Sequence, residues 1–492
     1  MSSKVISDVR EYEEKAAARI PDSDRPLFHL SSRIGWMNDP NGFSKYNGVY
    51  HLFYQYYPFT NQWGPMHWGH AVSKNLLQWQ YLPVALAPDT EADFGGCFSG
   101  SAIETDDGKH LLLYTGVKTT DIIGQFIQQQ CVAVGDGLDY EKYEGNPVID
   151  ISDLPEGFSK YDFRDPKIFR ENDGTYACVV AACDQENDGK ILYFRSEDGF
   201  KWNFVSVLAE NNHRFGTMWE CPDFFELDGR YVLLTSPMNM RYVADKYSPG
   251  NGTLCLIGSF DKRNVKFTEE SDQAIDYGID FYATQTLLTE DGRRIMIGWM
   301  QNWDSIAFGN KLKPWFGQMT LPRELHIRNG LLCQEPVREI ETLRNGMAVY
   351  ENVRFNGSIR LHGIVGRTVD IEITVKPAKA KPFNEFSIRF AENEDVFTSL
   401  TYNRKKSEIA FNRKNSGATS DVVHTRRLRI PTKNGELKVR LILDRYSVEC
   451  FINDGEQTLT SVLYTEADAT GFSFHSDGEV LMDVVKYDLG FR

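Results

Sequence analysis

With 492 residues the chain exceeds one typical hydrophobic core and has room for about two to four domains. Its 41% hydrophobic and 13% aromatic content supplies enough apolar surface to offset the entropy of folding, which excludes a disordered chain. A net charge of −15 (54 basic against 69 acidic residues), with no Lys/Arg-rich block, argues against nucleic acid and acidic membrane surfaces as partners.

In the first twenty residues Asp8, Glu11, Glu13 and Glu14 interrupt the apolar positions, so the stretch lacks the core of a secretory leader. No run approaches the roughly 18 apolar residues of a membrane span. A cytoplasmic protein without a membrane partner is expected. Eight cysteines form no CxxC pair and sit beside no histidine cluster, which favours buried free thiols over disulfides or a zinc site. Val5 to Ile20 reads as a short helix that Pro21 ends, a cap or lid against the next domain, so that residues 1–33 form a helix and lead-in.

From 34 to 336 hardly any segment has the 3.6-residue period of a core helix. Short strand-like runs recur instead between Gly, Asp and Asn turns. The first begins with Trp36-Met37-Asn38-Asp39-Pro40-Asn41-Gly42, followed by the β-forming run Val49 to Tyr57 and by Trp63 and Trp68. On residue types alone this is either an ordinary turn at a domain start or a carboxylate in an aromatic-lined sugar or ligand site. Similar openings follow at Phe98-Ser99-Gly100, Arg164-Asp165-Pro166, Glu220-Cys221-Pro222-Asp223 and Asp280-Phe281-Tyr282, each trailed by a D-G or N-G turn and aromatic strands. Five repeats of about 55 to 65 residues, each long enough for four strands, predict a five-bladed β-propeller. The first strand of each blade lines the central channel, so Asp39, Asp165 and Glu220 are expected to share one funnel. The competing reading is that blade starts are simply rich in turn residues.

Residues 337–349 read as a linker with a short helical turn. From 350 to 492 the alternating runs Ser358 to Leu361, Thr368 to Val375, Glu385 to Phe390, Glu436 to Leu443 and Val448 to Phe451 predict a β-sandwich. The fold class is therefore all-β: a five-bladed β-propeller followed by a C-terminal β-sandwich. Because the three carboxylates all precede residue 221, the sandwich is expected to serve stability more than chemistry.

The motifs Trp36 to Gly42, Gln55, Trp63, Phe98-Ser99-Gly100, Arg164-Asp165-Pro166 and Glu220-Cys221, in this order and spacing, resemble the β-fructosidases of glycoside hydrolase family 32, which include invertases, exo-inulinases and sucrose-6-phosphate hydrolases. The resemblance covers nearly the whole chain. It implies a propeller joined to a sandwich and retaining hydrolysis of a β-fructofuranosidic bond. It further implies Asp39 as nucleophile, Glu220 as general acid/base and Asp165 as transition-state stabiliser. By the same resemblance Arg164 would orient these groups and the sugar, and Asn38, Gln55, Trp63, Phe98, Ser99 and Trp299 would contact the sugar. Retaining chemistry asks for two carboxyls about 5 to 5.5 Å apart, one attacking and one protonating the leaving oxygen. Glu220 is expected to be held protonated by neighbouring charge and the apolar Met218, Trp219 and Cys221, and Asp39 to be kept ionised by amides and backbone N–H groups.

His67 and His70 lack a third ligand at metal spacing, so no metal or cofactor is expected. The D-G pairs at 107, 173, 198, 228 and 291 read as hairpin turns rather than calcium loops. The loop Pro58 to Pro65 carries amides and an indole but no cation, and Asp89, Glu91 and Asp93 would repel a phosphate if they faced the funnel. Neutral sucrose and short fructo-oligosaccharides such as kestose are therefore expected over sucrose 6-phosphate. Fructosyl transfer and a non-catalytic carbohydrate-binding role are the alternatives, and the oligomeric state stays open.

Overall fold

The computed structural model describes residues 3–122, 124–244, 246–306, 313–417, 423–432 and 435–491. After the helix Lys4–Ala17 come five small antiparallel sheets whose inner strands are Gly35–Tyr46, Gly96–Glu104, Phe158–Arg170, Trp219–Leu227 and Tyr282–Leu288. These are blades I to V. Each inner strand packs on the next, and the fifth on the first. Trp315–Phe316 closes the ring by pairing in parallel with Gly35 and Trp36, which adds a fifth strand to blade I. The D-G pairs sit in turns between blade strands, with their glycines at positive φ.

All five inner strands slip register, four near their starts and Phe158–Arg170 at its middle, and the residues skipped there by the ladder are Asn38 and Asp39, Ser99, Asp165 and Pro166, Cys221 and Pro222, and Ala283. Such bulges bend a strand and re-aim its side chains. Proline, which has no N–H for the ladder, is tolerated at such sites. Asp165 (φ 64°), Cys221 (φ 51°) and Ala283 (φ 48°) take the left-handed conformation that side chains disfavour, a strain that clusters at functional sites.

In the second domain the long strands Arg344–Ile359 and Gly471–Leu489 pair along most of their lengths. The latter also pairs with Val369–Pro377 through one half and with Glu385–Glu392 through the other. The two halves thus seed two layers that face each other across a core including Ile371, Phe386, Phe411, Leu441, Val448 and Phe474. The short helical turn is the 3-10 segment Arg338–Leu343. The first sandwich strand starts at Arg344, inside the stretch read as linker. Residues 344 to 349 are partly or fully exposed, so no buried apolar alternation marks them in the sequence.

The N-terminal helix, capped by the Ser3 hydroxyl on the Ile6 N–H at 3.2 Å, lies along the outer strand Trp79–Leu86 of blade I. Arg10 Nε donates to the Val84 carbonyl there at 2.9 Å. The lead-in that follows is clamped to the sandwich. The Asp444 carboxylate accepts the consecutive N–H groups of Leu27, Phe28 and His29 at 2.8, 3.0 and 3.2 Å. The His29 ring, with no exposed side-chain surface, bridges Asp444 and Glu449 at 2.9 Å each. Burial alone would lower its pKa, but the two carboxylates outweigh this and hold it up to about 9.

Within blades I and II, His51 and His70 stack on Phe53 and His110 lies tilted to it at 5.8 Å, with His51 Nδ1 2.9 Å from His70 Nε2. Burial pushes His51 and His67 down to about 4 and His70 and His110 well below their ordinary value. Stability contributed by His29, whose folded pKa is raised, is fully present below its unfolded value of about 6.5 and is lost as pH rises through about 9. The neutral histidines act oppositely, favouring the unfolded chain as pH falls below about 6.5, because only the unfolded rings take up protons there. The melting temperature should therefore peak near neutrality. The gap between the parent and His29→Gln should be widest below about pH 6.5, shrink as pH rises from there and be smallest above about pH 9; a gap that does not change with pH would remove the charged-His29 account.

Candidate active site

The bulges bring the expected carboxylates together. Asp39 Oδ1 accepts the Asn38 carboxamide N–H at 3.0 Å and Oδ2 accepts the Ser99 hydroxyl at 2.7 Å, so blades I and II hold it jointly. Asn38 is itself fixed by the Trp36 indole N–H at 2.7 Å. Asp165 Oδ2 accepts the Cys221 N–H at 2.9 Å, and its own N–H donates to the Thr115 hydroxyl oxygen at 2.9 Å. The Cys221 Sγ lies 3.6 Å from both Asp39 Oδ2 and Asp165 Oδ2. Burial, then the neighbouring carboxylates, push this thiol up, so it remains a protonated donor rather than a nucleophile.

Glu220 is gripped from both sides. Its Oε1 accepts Arg164 Nε at 3.0 Å and Nη2 at 2.8 Å, and its Oε2 lies 2.6 Å from the Tyr282 hydroxyl. That hydroxyl is also 3.0 Å from the Ser236 carbonyl oxygen. Its single hydrogen can serve Glu220 when the carboxyl is ionised, and the Ser236 carbonyl when Glu220 carries the proton and donates it to the tyrosine oxygen. Arg164 Nη1 in turn donates to Gln128 Oε1 at 3.2 Å and Asp162 Oδ1 at 3.3 Å.

Arg164 thus pairs with Glu220 and Asp162 and its charge acts on Asp165, whereas Asp39 is held by neutral donors. Burial raises the Asp39 pKa above the ordinary carboxylate value, opposed by the Ser99 and Asn38 hydrogen bonds and reinforced by the Glu220 charge. The Asn38 amide favours the ionised form of Asp39 as expected, but desolvation is the larger effect and the net shift is upward. Asp165 is raised as well, by burial first, with Arg164 opposing and the Glu220 and Asp39 charges adding. Burial and mutual repulsion together favour a proton within the cluster.

The remaining expected residues take different positions. Trp63 is half exposed and meets Phe98 edge to face at 6.1 Å. Gln55 is buried and spends its carboxamide N–H on the Cys97 carbonyl at 3.0 Å, beside Trp68, whose indole N–H donates to the Phe98 carbonyl at 3.0 Å. Both therefore shape the strand that presents Ser99. Trp299 is buried among Trp36 and Trp303, its indole N–H without a hydrogen-bond partner among the described residues. Sequence reasoning missed Tyr282 and Gln128 as site residues. Tyr282 occupies the blade-opening position, and Gln128 belongs to a run of three glutamines in the strand Phe126–Gly135, where every second side chain must turn inward. Among the described residues no three His, Cys, Asp or Glu side chains are grouped to hold a metal ion. A cavity of about 1040 Å³ lined by Arg25, Trp79 and Arg445 contains none of the converging carboxylates.

Residues 29–336 match the N-terminal domain of glycosyl hydrolases family 32, and residues 339–488 its C-terminal domain. A raffinose invertase from Escherichia coli is 37% identical, with 94% of each chain covered. A sucrose-6-phosphate hydrolase from the same organism is 36% identical over 92% of this chain and 91% of its own. The structure of a Bombyx mori GH32 beta-fructofuranosidase superposes with a TM-score of 0.85 at 34% identity, covering 100% of this chain and 99% of that one, and a variant of it has been solved in complex with sucrose. With both domains matched in order, the chain belongs to glycoside hydrolase family 32 and is a fructofuranosidase-type glycoside hydrolase.

Proposed function

We propose that Asp39 and Glu220 carry out the two halves of a retaining hydrolysis of terminal β-fructofuranosides, with neutral sucrose and short fructo-oligosaccharides as substrates. The observation that carries this reading is the asymmetry of the cluster. Asp39 is held by neutral donors from Asn38 and Ser99, as suits an attacking oxygen, while Glu220 sits between Arg164 and the two-way Tyr282 hydroxyl, as suits a group that must both give and take a proton.

In the first half, an Asp39 oxygen forms a bond to the anomeric carbon of fructose as the glycosidic bond breaks, and the Glu220 proton passes to the departing oxygen. In the second, Glu220 takes a proton from water, the resulting oxygen bonds to the same carbon, and the Asp39 ester opens to release fructose. Asp165, fixed by the Cys221 N–H, accepts hydrogen bonds from fructose hydroxyls. Eight free, buried cysteines fit a reducing compartment.

The preference for neutral sugar rests on different residues than the sequence suggested. Asp89 and Asp93 both contact Lys142 Nζ, at 2.5 and 2.6 Å, and Asp93 is buried, so they are spent as a structural clamp rather than free to repel phosphate. Supporting the preference instead, Arg164 is fully engaged, Lys118 is paired with Glu91 at 2.8 Å, and Phe98, next to Ser99, is in contact with the half-exposed Trp63 rather than with a cation. A phosphate dianion needs several free charged donors.

Glu220→Gln should lower turnover of sucrose by about 10² to 10⁴ with an unchanged melting temperature; turnover within about twofold of the parent would take the proton-transfer role from Glu220. Asp39→Asn should leave no fructosyl adduct in a quenched reaction analysed by mass spectrometry. Values of kcat/KM on sucrose, sucrose 6-phosphate and kestose should favour the neutral sugars, and a preference of about tenfold for the phosphorylated one, roughly 1.4 kcal/mol, would reverse the assignment.

A further inference from the structure

Asp280 opens the fifth blade repeat as Asp39 opens the first, yet its carboxylate lies in the domain interface. Its Oδ2 accepts Arg413 Nη1 of the sandwich at 2.5 Å, the Val462 N–H at 2.8 Å and the Ser461 hydroxyl at 3.1 Å, and its Oδ1 accepts the Ser305 hydroxyl at 2.5 Å. We propose that Arg413 is a positioning residue for Glu220, acting through Asp280 and Tyr282, so that the sandwich domain helps to set the proton-transfer geometry of the propeller. This rests on the reading of Glu220 as the acid/base.

The path is short and rigid. Arg413 has no exposed side-chain surface, and its Nε donates to the Val423 carbonyl at 3.0 Å, which fixes the guanidinium. Ahead of the funnel the chain is laid on the sandwich strand Gln457–Val462. The N–H groups of Tyr277, Ile279 and Asp280 donate to the Thr458 and Thr460 carbonyls at 2.8, 2.9 and 3.1 Å. Gly278 permits this approach, since a Cβ there would lie 2.1 Å from the Thr460 nitrogen. The Ile279 side chain is part of the sandwich core. Two residues beyond Asp280, a reach of at most about 7 Å, Tyr282 is 1% exposed and its hydroxyl meets Glu220. The Ala283 N–H then locks on the Ser236 hydroxyl at 2.9 Å. A carboxylate that loses its buried cation must find new partners, and the two-residue link transmits that shift to the tyrosine.

A fault in proton donation harms a poor leaving group and spares a good one, which distinguishes positioning from general damage. Arg413→Met should lower kcat/KM on sucrose by about tenfold to a hundredfold, while kcat/KM on an aryl β-fructofuranoside, whose phenolate leaves without protonation, should stay within about twofold of the parent. Tyr282→Phe should show the same split, and the double variant should lose less than the product of the two. Arg413→Lys should recover part of the sucrose rate. Equal losses on both substrates, or no loss on sucrose, would overturn the proposal. If Arg413→Met does not fold, Ser461→Ala, which removes one Asp280 donor, is read by the same criteria. Turnover of both substrates by the parent tests the underlying reading separately: a parent that cleaves neither sinks the proposed activity itself.

Discussion

The site depends on a backbone constraint repeated five times, a bulge in each inner strand. A regular strand alternates its side chains and commits every N–H and C=O to the ladder. Releasing one or two residues per blade frees Asn38, Asp39, Ser99, Asp165 and Cys221 from that alternation and turns them toward a common axis. Proline fits the release in blades III and IV because it has no N–H to lose there. The parallel pairing of Trp315 and Phe316 with the first inner strand closes the ring, so the five openings cannot spread apart.

The electrostatics follow from that convergence. Burial pushes Asp39 and Asp165 up, the charge of Glu220 adds to this, and the groups that surround the cluster include neutral donors: a hydroxyl, a carboxamide, a thiol and a phenol. Neutral donors stabilise a carboxylate without neutralising it, which keeps the cluster able to change its charge during a reaction. Arg164 forms ion pairs with Glu220 and Asp162 and its charge also acts on Asp165, while the left-handed backbone at Asp165 and Cys221 fixes the remaining partners in place.

Much of this was legible because propeller blades announce themselves. The D-G turns, the aromatic strands and the acidic or proline-bearing openings recur, and the openings coincide with the bulges. What stayed hidden were residues whose meaning depends on long-range contact. Asp280 carries the same opening signature as Asp39 but meets Arg413, which lies 133 positions away in sequence. Asp89 and Asp93 read as a repelling acidic group, yet Lys142 binds both. Tyr282 reads as the last residue of a blade opening, and is buried, but its hydroxyl ends on Glu220. The first sandwich strand escaped because its side chains are mostly exposed, leaving no apolar alternation to see.

The domain interface sets buried charges beside an apolar seam in which Ile442, Phe451 and Leu489 of the sandwich join Leu321 and Val337. Asp276, Asp280, Asp444 and Glu449 are all fully buried, against Arg323, Arg413 and a protonated His29. Buried ions are costly unless every lone pair is met, and here they are met densely. Glu449 accepts His29 and the Leu321 N–H on one oxygen and Arg323 twice on the other; Asp276 accepts Arg323, the Gly278 N–H and both the N–H and hydroxyl of Thr460. A greasy contact of similar area would hold the domains together but would tolerate sliding, since apolar burial has no direction. Hydrogen-bonded charges fix orientation as well as proximity. That distinction matters because the segment they fix, Asp276 to Asp280, runs directly into the strand that carries Tyr282, so the angle at which the sandwich docks becomes part of the geometry at Glu220.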